Sequence, residues 1–483
     1  MDHPADKKFG LGKIIPSGLG RFDLVVTVII YLACYLLFCF NDIFITAGFA
    51  HTYLKGHIFD FYQYNVTAYH IAGVEYLHPI YIIFAIWLLP LNILGLLTPI
   101  TEIPCPLSVI ETAWLKLLLV LAVALCARVI YKIACVISNH NDKAKLISWL
   151  FLSNPITIYC ALIFSGYDIF GLLFTMIGLY YFLKRRHSMF LLFFALAIPF
   201  KFFAVIPFLP LLLLVRKNFW QLVLDTLLAA SFSMILIGCT LFDKGSTVFR
   251  IVIANNTESN ALGVFMHPSF EFLGLIVVCF VAYLTRCGND EGKFASSAIF
   301  LPLAALVCVF TFILWHPQWL IILIPWFSLA YISYRNLSYA LLFDTAGIAS
   351  LFIKILDQWD RCDFQLLGNG VLRHLFRPEY IAASRFIPVQ IVPFLDTFIL
   401  LFFISPFLIL YLEKRNINLP EIGLFKNEYN YLRLRNYGGI LLYLSAVLGI
   451  VALVTVFPQI MENTASMRDT ILQILGGGMW QGR

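Results

Sequence analysis

Apolar runs recur along this chain from residue 22 to residue 458, separated by short polar connections. They cover 22–41, 112–137, 147–164, 169–184, 188–215, 219–241, 269–286, 295–315, 319–334, 337–355, 391–413 and 438–458. A helix needs about 20 apolar residues to cross the hydrocarbon layer of a bilayer. Composition excludes a water-soluble alternative: 61% of the 483 residues are hydrophobic and 12% are charged. Soluble domains are roughly half apolar and about a quarter charged. The expectation is an all-α, polytopic transmembrane helical bundle of about 11–13 spans.

Charge sets the orientation. Lys7, Lys8 and Lys13 precede the first run. That run is too long for a cleaved signal core and lacks a convincing cleavage site, so it reads as a retained first helix. Cytoplasmic loops carry the excess of Lys and Arg, and this rule decides the run 79–97, which Pro90 and Asn92 interrupt. If 79–97 does not cross, Arg128, Lys132, Lys143, Lys145, Arg185, Arg186, Arg216, Lys217, Arg286, Arg335, Lys414 and Arg415 all face inward. If it does cross, the cluster from Arg128 to Lys145 and the pair at 185–186 face outward. The run is therefore read as a re-entrant or interfacial helical element of an external loop, 42–111. The run 188–215 holds Pro199, Lys201, Pro207 and Pro210 between basic flanks, and reads as two short helices that reach the outer half and return.

This topology places five polar segments on one external face: 42–78, 165–168, 242–268, 316–319 and 356–390. Asp42 stands where the first helix emerges into water. A carboxylate there is either a solvated helix end or a general base that takes a proton from an acceptor hydroxyl, with desolvation raising its pKa. Lys201 lies between Phe200 and Phe202. An ionisable group in such a setting marks a functional site, with an anion such as a phosphate as its partner; the alternative is a lysine snorkelling to an interface. Asp60, His78, Asp168, Arg250, His267, His316 and Gln318 complete the candidate substrate-binding set because they share this side.

Several classes are disfavoured. His51, His57 and His70 fit no compact metal motif, the eleven cysteines include no CxxC pair, and no metal site or cofactor is expected. The +6 net charge is scattered between apolar runs and is no nucleic-acid signal. A Walker loop or a GxGxxG opening a helix is missing, which argues against ATP-driven transport. No internal duplication is visible, although many secondary transporters are built from repeats. The sequons Asn65-Val66-Thr67 and Asn255-Asn256-Thr257 lie on the external face.

Taken in order, these residues resemble the GT-C superfamily of integral-membrane glycosyltransferases. They are most similar to the polyprenyl-phosphate-sugar-dependent group that includes bacterial mannosyltransferases and the catalytic subunit of the first glycosylphosphatidylinositol mannosyltransferase. The resemblance rests on Asp42 ending the first helix, on Ala50 through Gly56 to Asp60, and on His78-Pro79-Ile80-Tyr81. It continues through Asn154-Pro155 with Gly166-Tyr167-Asp168, the run Ala195 to Pro207 with Lys201, and Pro317-Gln318-Trp319 leading to Pro325. The chain differs from the family in having Asn41-Asp42 rather than a paired acidic motif, and His78 before Pro79.

The resemblance implies an enzyme that moves a single sugar from a polyprenyl-phosphate carrier to a glycan or glycolipid acceptor on the non-cytoplasmic side, with inversion and with Asp42 as base. Fixed positive charge on the leaving phosphate would remove the need for a divalent metal. Residues 1–330 would form the catalytic transmembrane module, and 331–483 would add C-terminal helices and a short tail. The setting would be a multi-pass protein among membrane lipids, in a bacterial plasma membrane or, alternatively, the endoplasmic-reticulum membrane. The rival readings are a secondary transporter or lipid flippase, and a non-catalytic subunit of a membrane glycosylation complex.

Overall fold

The structure is a computed structural model that describes residues 16–70, 77–246, 270–312, 316–358, 368–373, 391–417, 424–425 and 427–456. Among these residues all regular structure is helical. The first half comprises α1 (Arg21–Leu37), α2 (Asn41–Leu54), α3 (Phe61–Tyr69), α4 (Pro79–Ile93), α5 (Val109–Ser138), α6 (Asn141–Leu152), α7 (Pro155–Ile158, continuing as a π-turn Tyr159–Ile163), α8 (Asp168–Leu183) and α9 (His187–Ala197). There follow α10 (Val205–Val215), α11 (Phe219–Thr240), α12 (Phe270–Leu284), α13 (Glu291–Phe312), α14 (Ile324–Ala330), α15 (Leu337–Gln358), α16 (Val392–Lys414), α17 (Glu428–Arg433, continuing as a π-turn Leu434–Gly438) and α18 (Gly439–Val456).

Five of the described helices are long and apolar enough to cross a membrane, or up to seven if each of two bent pairs is one span. The chain is an integral multi-pass membrane protein. The expected spans thus resolve into a few full-length helices and many short, broken ones. Pro199 and Lys201 divide 188–215 into α9 and α10, and Asn154-Pro155 divides 147–164, where Asn154 Oδ1 accepts from Ile156 N–H at 2.8 Å and caps α7. Helix α5 packs against α6 and α8, α8 against α9, α10 against α13, and α15 against α16. One continuous apolar core includes side chains from α1 to α18, so the helices beyond residue 330 share it.

The junction that matters most for the site is the 65° bend between α1 and α2. The carbonyls that end a helix have no intrahelical donor. Here the fully buried Lys116 of α5 satisfies them, its ammonium donating to Cys34 O at 3.1 Å, Tyr35 O at 2.7 Å and Phe38 O. A positive charge at a helix C-terminus also complements the macrodipole. The chain can therefore turn sharply and start α2 with Asp42 just beyond the span. Lys116→Met should lower the thermal unfolding midpoint markedly, by the equivalent of about 2–4 kcal/mol, because buried carbonyls lose charged donors. An unchanged midpoint in lipid would contradict this role.

Both ends of the 79–97 segment return to α2. The His78 ring bonds Tyr53 Oη at its start. At its far end Thr98 N–H donates to Glu111 Oε2 at 2.9 Å, and Glu111 Oε1 pairs with His51 Nε2 at 2.7 Å. The segment thus begins and ends against neighbouring positions of α2. Trp87 and Trp114 fasten α4 to α5, stacked at 4.9 Å with each indole N–H donating to the other's carbonyl.

Two charged networks bind the C-terminal helices to the N-terminal ones. Arg433 clamps the buried Asp23 of α1 at 2.8 and 2.9 Å. Arg435 is buried against Asp344 at 3.1 Å and donates to Leu150 O at 3.2 Å, while Asn436 Nδ2 reaches Ser153 Oγ at 2.7 Å. These contacts hold the end of α6, immediately before the turns that form the site.

Candidate functional site

Four separate stretches converge at the N-terminus of α2. Gln318 Nε2 approaches Asp42 Oδ2 at 3.4 Å. Gln318 follows Pro317, the first residue of a short 3₁₀ segment (Pro317–Ile322), and is held from behind by the 165–168 turn. In that turn Ser165 adopts φ 59°, and Gly166 N–H donates to Cys160 O at 2.8 Å. A Cβ on Gly166 would stand 3.1 Å from Gln318 Cβ and 3.2 Å from Cys160 O, so the approach depends on glycine. The Cys160 thiol donates to Pro317 O at 3.3 Å and ties the two turns together.

Asp168 is the first residue of α8, where the helix dipole favours an anion. Lys201 Nζ pairs with its Oδ1 at 3.0 Å, and both side chains are buried. Lys201 can reach because its backbone is extended (φ −157°, ψ 118°) in the gap between α9 and α10. Gly171 lets that gap press against α8: a Cβ there would lie 3.3 Å from Phe200 Cβ and 3.4 Å from Lys201 Cβ. The ammonium also sits 5.1 Å from the Trp319 ring centroid, and the His316 ring lies 4.7 Å from the same indole. A carboxylate and an aromatic face both attract a cation at this position.

A fifth stretch, 368–373, arrives from the C-terminal half. Leu372 N–H donates to Leu36 O at 3.0 Å, and Asn369 Nδ2 donates to Asn41 Oδ1 at 2.7 Å, beside Asp42. Arg373 Nη2 donates to Leu107 O, and its charge acts on Cys39. Besides the carboxyl oxygens of Asp168, which have the Lys201 ion pair, three buried polar atoms here, Gln318 Oε1, Trp319 Nε1 and Arg373 Nη1, have no hydrogen-bond partner among the described residues. Leaving such groups unpaired costs about 1–3 kcal/mol each, which a polar ligand would recover.

The electrostatics follow from packing. Burial pushes the Asp42 carboxyl up to about 6, with the Asp168 charge adding to the rise and Lys201 opposing it. Burial, then the Lys201 charge, lowers His316, so its ring is neutral near neutral pH. The arrangement offers a carboxylate able to take a proton near neutrality, with cationic groups at a short remove.

Asp42, Asp168, Lys201, His316 and Gln318 are thus brought together. Asp60 and His78 are not. Asp60 is exposed beyond the far end of α2, paired with His57 at 3.0 Å. His78 packs edge-to-face with Tyr53, Phe61 and Tyr62, and Tyr53 is eleven residues along α2 from Asp42, roughly 16 Å. Arg250 and His267 lie outside the described residues, as do Arg361, Arg377 and Arg385, which with Arg373 are the arginines of the segment 356–390 that could supply charge to a phosphate. Asn369 and Ser165 were given no role by the sequence, and nothing in the pattern around them signals one. Among the described residues no group of three His, Cys, Asp or Glu could hold a metal ion.

No family model matches the chain, and no curated protein does. Among solved structures, the crystal structure of ArnT from Cupriavidus metallidurans bound to undecaprenyl phosphate is similar, at a TM-score of 0.45 and 11% identity. That alignment covers 89% of this chain and 76% of that one. The likeness is too loose to carry residue roles across. The chemistry rests on the geometry above.

Proposed function

We propose that the chain is an inverting membrane glycosyltransferase that moves one sugar from a polyprenyl-phosphate carrier to a glycan or glycolipid acceptor on the non-cytoplasmic side. The observation that carries this reading is the meeting of Asp42 with Gln318, beside the Lys201–Asp168 pair, at the outer end of a membrane helix. The motif resemblance to the GT-C enzymes points the same way.

In this scheme Asp42 accepts the proton of an acceptor hydroxyl while Gln318 fixes its rotamer. The freed oxygen bonds to the anomeric carbon, and the bond from that carbon to the phosphate oxygen breaks. Polyprenyl phosphate departs with the electron pair. A single displacement inverts the anomeric centre. Lys201 and Arg373 meet the charge that grows on the leaving phosphate, the preorganised electrostatic stabilisation that usually dominates such steps. Asp168 holds Lys201 and accepts from sugar hydroxyls. No step calls for a divalent cation.

A lipid-borne donor fits the outward-facing site, because nucleotide sugars are confined to the cytoplasm. The bacterial plasma membrane is the proposed setting. The Asn65 sequon lends no support to an endoplasmic-reticulum lumen: Asn65 is buried, its Nδ2 donating to Phe61 O at 2.7 Å and its Oδ1 accepting from Thr52 at 2.9 Å.

Protein reconstituted in lipid and given a panel of polyprenyl-phosphate sugars, with and without acceptor extract and with a chelator present, tests the proposal. Acceptor-dependent release of polyprenyl phosphate is the expected result. Folded protein that releases none from any donor would overturn it.

A further inference from the structure

The outer loop carrying α2 and α3 ends in a turn that the catalytic scheme leaves unused. In the turn 56–60, Ile58 is 54% exposed and Phe59 is 95% exposed. A lone exposed apolar side chain is ordinary, but these two have company. Phe242, 90% exposed, lies in the turn just beyond the end of α11, next to Asp243. Asp243 caps α3 from the other half of the module: Oδ2 accepts from Tyr62 N–H at 2.7 Å and Oδ1 from Gln63 N–H at 2.8 Å. Gly245 lies so close to the Tyr62–Gln63 backbone that no Cβ would fit, at 2.3 Å from Gln63 N. The two apolar tips are therefore tied to one junction.

The height of that junction is set by α11. This helix has 22 residues and rises roughly 33 Å, enough to cross the hydrocarbon layer. It is apolar and little buried, presenting Leu224, Leu227, Leu228, Met234 and Ile235 outward. That surface faces lipid, and Phe242 continues it at the outer rim. Lys55 and Lys244, both exposed, flank the tips. Aromatic side chains with basic neighbours are what the headgroup level of a bilayer favours.

We propose that Ile58, Phe59 and Phe242 form an interfacial anchor that inserts into the outer leaflet, with Lys55 and Lys244 at the lipid phosphates. The occupant of the patch is phospholipid. The anchor fixes the far end of α2, and with it the height of Asp42 above the membrane. The inference rests on α11 and the Asp243 junction, and is independent of the glycosyl-transfer reading.

The test places an environment-sensitive dansyl amino acid at position 59 of the full chain, reconstituted in vesicles of phosphatidylcholine and phosphatidylglycerol. A second labelled protein carries it at Ile235. Nitroxide lipids labelled at different depths and aqueous iodide serve as quenchers. Position 59 should be shielded from iodide and lie roughly 5–10 Å below the phosphates, with position 235 roughly 10 Å deeper. Quenching of position 59 by iodide alone would overturn the anchor in favour of an exposed turn. Protection from both quenchers would overturn it in favour of a covering protein, either a second copy or a partner subunit.

Discussion

Asp42→Asn should reduce sugar transfer by about a hundred- to ten-thousand-fold, the usual contribution of a positioned general base, while the protein remains folded. The isosteric amide keeps an oxygen for Gln318 Nε2 and loses only the capacity to take a proton. In the parent, the rate should rise as pH climbs through about 6, where Asp42 ionises. The same elevation has a cost in stability. Well below the ordinary carboxyl value of about 4, Asp42 is protonated in both folded and unfolded chains, and the fold bears no penalty. As pH rises from about 4 to about 6, the unfolded carboxyl ionises freely while the folded one resists because of burial and the Asp168 charge. Stability present at low pH is lost over that window. Asp42→Asn should therefore be more stable than the parent at neutral pH, by about 1–2 kcal/mol given its partial contact with water, and no more stable at about pH 3. Unfolding midpoints and initial rates across this range check both. Undiminished transfer would remove Asp42 from the chemistry, and equal midpoints at neutral pH would remove the strain.

Lys201→Met carries the second large effect. It strands Asp168, 3% exposed, without its cation, and breaking a buried pair from one side costs about 3–5 kcal/mol. Transfer should also collapse, because a charge beside the leaving phosphate is gone. The two losses separate in the double variant Lys201→Met with Asp168→Asn. Removing both charges should restore most of the unfolding midpoint and leave transfer depressed. Recovery of transfer along with stability would make Lys201 a purely structural residue.

The site was legible through three different signals. Lys201 stands alone among apolar neighbours, Asp42 follows the first apolar run, and Asp168 and Gln318 fall in turns read onto the same face; the fold brings the four together. Adjacency in the loop was a poorer guide. Asp60 and His78 share the external segment with Asp42, yet the length of α2 carries them away from it. Lys116 satisfied the same criterion as Lys201 but lay inside an apolar run without a break, so its hold on the end of α1 went unread. The Asp243 cap on α3 joins residues about 180 apart, and no local pattern encodes such a partner. The broken helices were partly visible through Pro199 and Pro155, whereas the π-turn at Tyr159–Ile163 leaves no mark in the sequence.

The clamp of Arg433 on Asp23 bears on how the protein is made. The first membrane helix enters the bilayer with a carboxylate whose cation has yet to be synthesised, about four hundred residues later. Until then that charge is left to water, lipid headgroups or a chaperone. Arg435, two residues further on, secures the end of α6 and the turns beyond it. Both contacts close only once residues 433–436 are in place: without them Asp23 lacks its guanidinium, and the end of α6 lacks Arg435 and Asn436.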